Sequence, residues 1–362
     1  MTNRLLLTIL SFFIIILTSC NTKKPAVGFE DEIFVIADST EYESLQEAMK
    51  LAFEKIIYTP QPENLFTLKL INVGEIDKYK SKKNIIILAP LNSGSAASKF
   101  IEQVADSTVI SKFETDNDFI LNKYNLWAKN QLVMVLSAPN MQELEFKILR
   151  KKDDLLYTFQ KISDKRLFES LYNPRYEKED VEGRFLRKYG WIIYVQADYK
   201  LAIDDSSGSF VWLRRSPGSD MERWIFVHWI ENASPEYLNT DSVKAIRNRI
   251  TNKYYRTSDD SSFVVIAKDY FNTDEVNFKG RYAILTQGLW ELNIKGMGGP
   301  FINYTFFDEE SNRIYMLDGS VYAPKYYKRN LIQQMDVTLQ SFYTEPEISP
   351  DRREELLDAA KD

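Results

Sequence analysis

The sequence has 362 residues, 44% of them hydrophobic and 27% charged, which suits two or three folded domains and excludes wholesale disorder. Its 46 basic and 52 acidic residues leave a formal net charge of −6, which excludes the basic surface expected of a nucleic-acid-binding protein. The single cysteine, Cys20, and the single histidine, His228, are too few for a zinc site of the usual kind. We therefore predict no metal site, no cofactor, no catalytic residue and no nucleic-acid partner.

The first twenty residues predict a signal peptide over 1–19. Arg4 precedes an apolar run from Leu5 to Leu17, which is too short to span a membrane but suits the hydrophobic region of a signal peptide. The run ends in Leu17-Thr18-Ser19-Cys20, which resembles the lipobox of bacterial lipoproteins. The resemblance implies cleavage before Cys20 and attachment of acyl chains such as palmitate there, so that the membrane is a partner through lipid at Cys20. The alternative is a plain signal peptide with an accidental cysteine.

The residues after the cysteine indicate which membrane would hold the anchor. In lipoproteins of this type an Asp at the second position favours retention in the inner membrane, and this chain has Asn21 there. The acidic cluster that some surface-exported lipoproteins carry is also missing. The resemblance therefore implies a location on the periplasmic face of the outer membrane, with residues 20–31 as a lipidated tether.

The fold class predicted from the apolar pattern is α+β, in two mixed α/β halves. Residues 32–163 predict an N-terminal α/β domain with the element order β-α-β-β-α-β-β-α. Within it, Phe119–Tyr124 and Gln131–Ser137 predict a hairpin, and the helical spacing of apolar residues from Asn140 to Ile162 predicts one long helix.

The second half has the clearer strand signals. Residues 164–190 predict a helical bridge that ends at Gly190, where a left-handed cap is favoured. Residues 191–343 predict a C-terminal α+β domain, an antiparallel meander packed by helices, that begins with one alternating strand from Trp191 to Ile203. Residues 344–362 predict a charged tail in which little would bury a short helix.

The candidate catalytic side chains have more ordinary interpretations. His228 falls in a predicted strand on the same face as Trp224 and Phe226, so a hydrogen-bonded core histidine is favoured over a general base. Three acidic runs could supply the two carboxylates of a glycoside hydrolase, but they lie in predicted turns, where Asp is common. They are Asp204-Asp205, Asp259-Asp260 and Asp308-Glu309-Glu310.

Two loops and the aromatic content are candidates for binding. Asn92–Ser95 precedes a helix and could hold an anion, although ordinary helix capping is favoured. The loop Gly296–Pro300 could be a binding tip, because glycine lets a ligand approach the backbone, although a simple hairpin connection is favoured. Aromatic residues make up 14% of the chain, including Trp212 and Trp229 on neighbouring predicted strands. Most are expected in the core, and the alternative is that some form a recognition groove.

Three short motifs resemble the Asp-Ser/Thr-apolar acceptor used for O-glycosylation of exported Bacteroidota proteins. They predict glycosylation at one or more of Ser39, Ser107 and Ser242. Each position is also typical of a helix cap or a turn.

The mature chain resembles an uncharacterised Bacteroidota lipoprotein family. The resemblance lies in the lipobox at Cys20, in Phe210-Val211-Trp212-Leu213-Arg214-Arg215, and in Gly298-Gly299-Pro300 before an aromatic strand. It implies a location and brings no activity. We expect a lipid-anchored periplasmic envelope protein, a non-catalytic binding or assembly module whose partner is an envelope protein, glycan or lipid. The alternative is a carboxylate-dependent hydrolase acting on an envelope glycan or peptide.

Overall fold

The computed structural model describes residues 23–57, 59–115, 118–294 and 296–361. The predicted signal peptide and the lipidation residue Cys20 lie outside these ranges. The chain divides into two compact units, one running to Ala52 and resuming at Thr67–Leu155, the other made of Phe53–Phe66 and Leu156–Asp362. Together the elements form an α+β fold, which confirms the predicted fold class. Within the described ranges, no helix is long and apolar enough to cross a membrane.

The first unit is built on a five-stranded mixed sheet with the strand order β4-β1-β5-β7-β6. Its strands are β1 (Glu32–Ile36), β4 (Thr67–Ile71), β5 (Asn84–Leu88), β6 (Ile120–Tyr124) and β7 (Leu132–Leu136). The pairs β1–β4, β1–β5 and β5–β7 are parallel. Strands β6 and β7 are antiparallel, which confirms the predicted hairpin.

The helices of the described residues follow in chain order. They are α1 (Ser39–Phe53), α2 (Ile76–Tyr79), α3 (Ala96–Val104), α4 (Ser107–Thr115), α5 (Met141–Arg150), α6 (Lys152–Leu171), α7 (Glu179–Tyr189), α8 (Thr240–Tyr254), α9 (Arg329–Leu339) and α10 (Pro350–Ala359). The prediction of one helix from Asn140 to Ile162 is wrong, because the backbone leaves the helical region at Lys151 with φ −111° and ψ 14°. The predicted cap at Gly190 is confirmed, with φ 77° after the last turn of α7.

The central strands of the first unit are apolar along their whole length because both faces of the sheet are buried. On one face, Ile36, Ile87 and Val135 share a core with Ile101 of α3 and Phe113 of α4. Two residues of the predicted tether pair with this unit. Pro25 forms a bridge with Lys129, and Val27 forms one with Lys82.

The second unit is built on a seven-stranded antiparallel sheet with the order β12-β13-β14-β15-β11-β10-β9. Its strands are β9 (Tyr199–Asp205), β10 (Phe210–Arg215), β11 (Glu222–Glu231), β12 (Val264–Phe278), β13 (Arg281–Leu292), β14 (Gly298–Asp308) and β15 (Arg313–Tyr322). Two small pairs lie outside it: β2 (Ile56–Ile57) with β3 (Glu63–Asn64), and β8 (Trp191–Ile192) with β16 (Tyr343–Thr344). The predicted strand from Trp191 to Ile203 is therefore wrong, since its two ends join different sheets.

Both faces of the seven-stranded sheet are covered. One core combines Val227, Ile302 and Leu317 of the sheet with Phe185 of α7 and Met335 of α9. The opposite core combines the other face of the sheet with α8, and it is rich in tryptophan and phenylalanine. The second core positions the site described below.

The C-terminal segment is packed and not merely a charged tail. Helix α10 begins after Ser349, whose side chain accepts a hydrogen bond from the amide of Arg352. Leu356 is fully buried against Leu186 and Ile192. The expectation that little would bury a helix here is therefore wrong.

Candidate functional site

A pocket of about 380 Å³ opens on the α8 side of the seven-stranded sheet. Its aromatic lining residues are Trp212, Trp224, Tyr255 and Trp290, which come from β10, β11, the end of α8 and β13. We call it the aromatic pocket. Its volume lies within the range of about 300–1,000 Å³ that is usual for sites that bind small molecules.

Strand register places two of the tryptophans side by side. In the antiparallel pair of β10 and β11, Arg214 lies opposite Trp224 and Trp212 lies opposite Phe226. Since residues two apart on a strand share a face, Trp212, Arg214 and Trp224 all point to the α8 side. The indoles of Trp212 and Trp224 meet edge to face, with ring centroids 6.3 Å apart.

Trp290 reaches the same place because of a glycine on the strand next to it. Trp290 lies opposite Gly299 of β14, where a β-carbon would stand 1.9 Å from the carbonyl oxygen of Val321 and 3.1 Å from the indole Nε1. With no side chain at 299, the indole lies across the strand and its Nε1 donates to the Val321 carbonyl at 3.2 Å. Its ring centroid is 4.9 Å from that of Trp224.

Tyr255 closes the pocket from the end of α8. Its amide donates to the carbonyl of Thr251 at 2.8 Å, which fixes the chain where the helix stops. Its ring packs against Trp212 and Trp224 at centroid distances of 4.5 and 5.3 Å. Burial raises the pKa of the Tyr255 hydroxyl well above its ordinary value, so the group is a neutral phenol at physiological pH.

A buried carboxylate orders the polar edge of the pocket. Glu222 accepts hydrogen bonds from Arg214 Nη2 at 2.7 Å, from Trp224 Nε1 at 2.8 Å and from the amide of Gly218. The Arg214 guanidinium also lies over the Trp212 ring, 5.0 Å from its centroid. Glu222 thus holds both the arginine and an indole in place.

Three polar atoms of the pocket lining have no hydrogen-bond partner among the described residues. They are Trp212 Nε1, Arg214 Nε and the Tyr255 hydroxyl. Trp212 and Tyr255 lie near each other, but not in the geometry of a hydrogen bond. A buried polar group without a partner costs about 1–3 kcal/mol, so a ligand or water that bonded to these atoms would be stabilised there.

His228 lies elsewhere, inside β11. Its Nδ1 donates to the carbonyl of Ser209 at 2.8 Å, and its Nε2 is buried without a partner in the described part of the chain. Burial lowers its pKa from 6.5 to about 4, so the ring is neutral at physiological pH. The favoured interpretation, a hydrogen-bonded histidine in an aromatic core, is confirmed.

The first two acidic runs are engaged in structural hydrogen bonds. The prediction that Asp204-Asp205 lies in a turn is wrong, because both residues are at the end of β9. Asp204 accepts from Lys188 and Tyr189, and Asp205 accepts from the amide of Gly208 at 3.0 Å. Asp259 accepts from Thr257 and Ser261, which lowers its pKa to about 2. Asp205 and Asp259 thus stabilise the turns next to them, whereas Asp204 connects β9 to the end of α7.

The third run borders a second hollow, of about 510 Å³. Asp308 is buried, and it accepts hydrogen bonds from Arg281 Nε at 3.0 Å and from the amide of Ser311 at 3.0 Å. Glu309 and Glu310 are exposed. The structure therefore brings this acidic run to a concave surface, but the oxygens of Asp308 are already engaged.

The other predicted positions lie at helix starts. Ser95 of the Asn92–Ser95 turn accepts from the amide of Ser98 at 3.0 Å and donates to the carboxylate of Glu41 at 3.1 Å. This confirms helix capping, and a carboxylate occupies the place where an anion was considered.

The predicted glycosylation residues fall in the first turns of α1, α4 and α8. Ser39 and Ser107 are exposed, whereas Ser242 is half-buried. Asp38 and Asp106 accept hydrogen bonds from the amides of Thr40 and Val109, which fits the helix-cap interpretation of the first two motifs. The third motif is not a cap, because α8 is capped by Asn239, which accepts from the amide of Ser242. Glycosylation stays a prediction.

Two stretches singled out in the sequence meet at the aromatic pocket. Phe210–Arg215 supplies Trp212 and Arg214, and the loop before β14 supplies Met297. Sequence reasoning did not find Trp224, Tyr255 or Trp290 as members of one site. The signal that could have found Trp290 is Gly299, because a glycine inside an aromatic strand indicates close approach of another group.

Two segments of the chain match families of unknown function. Residues 177–341 match the model of a domain of unknown function, DUF4837, and residues 26–172 match that of another, DUF8532. The whole aromatic pocket lies within the first match. These matches agree with the expectation that the chain resembles an uncharacterised family.

Comparison with proteins of known structure or role adds little. No curated protein matches the chain significantly. Two solved structures, a mutant of the protein Mog1 and the Saccharomyces cerevisiae Ran-binding protein Mog1p, each align with 43% of this chain and 90% of their own at 10% sequence identity. Their TM-scores are 0.29 and 0.30, and a likeness at this level carries no conclusion.

Proposed function

We propose that the protein is a lipid-anchored envelope module of Bacteroidota that binds its partner without catalysis through the aromatic pocket. The observation that carries the proposal is the convergence of Trp212, Trp224, Tyr255 and Trp290 around unsatisfied polar atoms. Aromatic side chains supply large rigid contact areas, and a few polar groups among them orient a ligand.

The anchor part of the proposal rests on Cys20 and on the segment that follows it. Pro25 already pairs with Lys129 in the first unit. Five residues of extended chain reach at most about 17 Å, so a lipid on Cys20 would hold the first unit close to the membrane surface. We propose the periplasmic face of the outer membrane as that surface.

Binding is favoured over hydrolysis because the candidate catalytic groups are occupied by structural contacts. His228 donates to Ser209, and Asp308 accepts from Arg281 and Ser311. In the aromatic pocket, three polar atoms of the lining lack a partner among the described residues. A ligand that supplies acceptors to these atoms would gain hydrogen bonds that the described residues do not make.

Photo-crosslinking in intact cells, from a photoreactive amino acid at the exposed lining residue Ser258, tests the proposal. Met297 lines the aromatic pocket at its rim, so Met297→Trp should fill the entrance without altering the aromatic residues inside. Ile294→Trp is the matched control, because Ile294 is 53% exposed in the same loop and does not line the pocket. We expect Met297→Trp, but not Ile294→Trp, to abolish crosslinking to a reproducible envelope component. Equal crosslinking by both variants would contradict the proposal.

The hydrolase alternative has one observation in its favour, the hollow beside Asp308-Glu309-Glu310. It requires the exposed carboxylates of Glu309 and Glu310 to act on a substrate held there. Glu309→Gln and Glu310→Gln would then abolish turnover of an envelope glycan or peptide. The binding proposal expects these variants to crosslink as the wild type does.

A further inference from the structure

The polar atoms that remain free in the aromatic pocket are mainly hydrogen-bond donors. Indole Nε1 and guanidinium Nε can only donate, so Trp212 and Arg214 each offer a proton that no described residue accepts. The Tyr255 hydroxyl can donate or accept. The main acceptor of the lining, Glu222, already receives bonds from Arg214, Trp224 and Gly218. A ligand that fits must therefore bring acceptor oxygens.

The charges of the lining favour an anionic acceptor. The negative charge of Glu222 neutralises the positive charge of Arg214, with 2.7 Å between Oε2 and Nη2. Arg256 also lines the pocket, and its ionic partner Asp260 is an exposed residue in a turn. Its guanidinium also donates to the carbonyls of Asn252 and Asp260, so Arg256 is held at the pocket and adds its charge there beside an ion pair that solvent weakens. The charged residues of the described lining are Arg214, Arg256 and Glu222, which sum to a formal charge of +1.

The aromatic walls restrict the rest of the ligand. Trp212, Trp224 and Trp290 present edges and faces of indoles within a space of about 380 Å³, which is at the small end for ligand pockets. Such walls suit a compact ring with apolar faces and a polar edge. A single sugar ring has this character, since its C–H groups pack on aromatic faces while its oxygens accept hydrogen bonds.

We propose that the aromatic pocket binds an acidic sugar, with the ring against the indoles and the carboxylate accepting from Arg214 Nε and Trp212 Nε1. This inference rests on the proposed binding function and names the ligand class for the same site. The sugar reaches the pocket either as a unit of an envelope glycan or as a free saccharide.

Titration of the full chain with matched sugars tests the ligand class. Glucuronic acid and glucose differ only in having a carboxylate or a hydroxymethyl group at one carbon, and binding should change the fluorescence of the pocket tryptophans. Hydrogen bonds to a charged group predict that glucuronate binds at least about tenfold more tightly than glucose. A glucuronate-containing polysaccharide, added in parallel, distinguishes a glycan unit from a free sugar.

Two arginine variants test the geometry. Arg214→Lys keeps a cation beside Glu222 but removes the Nε–H, so we expect it to abolish the preference for glucuronate. Arg215→Lys is the matched control, because Arg215 is the next residue and pairs with Asp198 outside the pocket. A preference for glucuronate that survives in Arg214→Lys would overturn the assignment.

The remaining outcomes separate the two proposals. Equal binding of glucose and glucuronate, both lost in Met297→Trp, would overturn the acidic ligand and leave the binding function standing. If no sugar binds but Met297→Trp still abolishes crosslinking in cells, the sugar ligand would be overturned and the proposed binding function would stand. Absence of both effects would overturn both.

Discussion

The carbonyl oxygen of Leu356 lies where a β-carbon at position 183 would have to stand, 1.9 Å away. Gly183 is in the middle of α7 and Leu356 is in α10, so the glycine allows the two helices to touch along their backbones. Arg352 strengthens this contact from α10 through ion pairs with Glu177 and Glu179. The C-terminal helix is thereby an integral part of the second unit.

Substitution of Gly183 should release the C-terminal helix. We expect Gly183→Ala to destabilise the second unit by about 1–3 kcal/mol, because the added carbon cannot be accommodated without separating the helices. Amide hydrogen exchange of residues 350–359 should become faster. Gly74→Ala is the control, since a β-carbon there would be 3.5 Å from its nearest neighbour. Unchanged exchange in Gly183→Ala would show that α10 does not depend on this contact.

The buried His228 predicts a loss of stability in acid. Its pKa falls from 6.5 to about 4 on folding, so the unfolded chain binds more protons between these pH values. Stability is then fully present above pH 6.5 and declines as the pH falls toward 4. His228→Asn keeps a donor for Ser209 but cannot titrate. Between pH 7 and 4.5, the wild type should therefore lose about 2–3 kcal/mol more of its free energy of unfolding than the variant loses. If the free energy of unfolding had the same pH dependence in both proteins, the lowered pKa of His228 would be contradicted.

Glu182 predicts the opposite dependence at higher pH. Burial, and then repulsion by Glu177, raise its pKa well above the ordinary value of 4.5. The folded chain therefore binds more protons than the unfolded chain above pH 4.5, and this contribution to stability is lost as the pH rises. Glu182→Gln keeps an acceptor for the amide of Val195. We expect the variant to be more stable than the wild type at pH 8, as measured by denaturant unfolding. A less stable variant would show that the negative charge itself is needed beside Arg352.

Mass spectrometry of the protein isolated from its native host tests the predicted modifications. Cleavage before Cys20 and acylation should give an N-terminal peptide that carries lipid, and Cys20→Ser should remove the lipid. Glycosylation at Ser39, Ser107 or Ser242 should add the mass of a glycan to the protein. Substitution of the modified serine by alanine should remove that mass. An intact mass equal to polypeptide plus lipid would refute glycosylation, and an unlipidated N terminus would refute the anchor.

Local features of the fold were predictable because they depend on neighbours in the sequence. Gly190 ends α7 because only a residue that adopts a positive φ easily fits there. The hairpin of β6 and β7 follows from two apolar runs with a short connection. The break at Lys151 was missed because the helical spacing of apolar residues continues on both sides of it. Strand β12 was missed because it is an edge strand with many exposed polar residues.

The aromatic pocket was beyond sequence reasoning for a different reason. Trp224 and Trp290 are 4.9 Å apart although β14 and β15 lie between their strands in the sheet. The indole of Trp290 covers that distance because Gly299 has no side chain to block its path across the sheet. Composition showed an excess of aromatic residues, but only the strand order and this glycine determine which of them meet.

The most direct test of the central claim is site-specific photo-crosslinking from the pocket rim in intact cells. A photoreactive amino acid at Met297 should yield a defined adduct with an envelope component. The same residue at Tyr327, which is 81% exposed and outside the pocket, should not. We expect an adduct that is specific to position 297 and that glucuronate competes away. Equal or no crosslinking at the two positions would contradict this expectation.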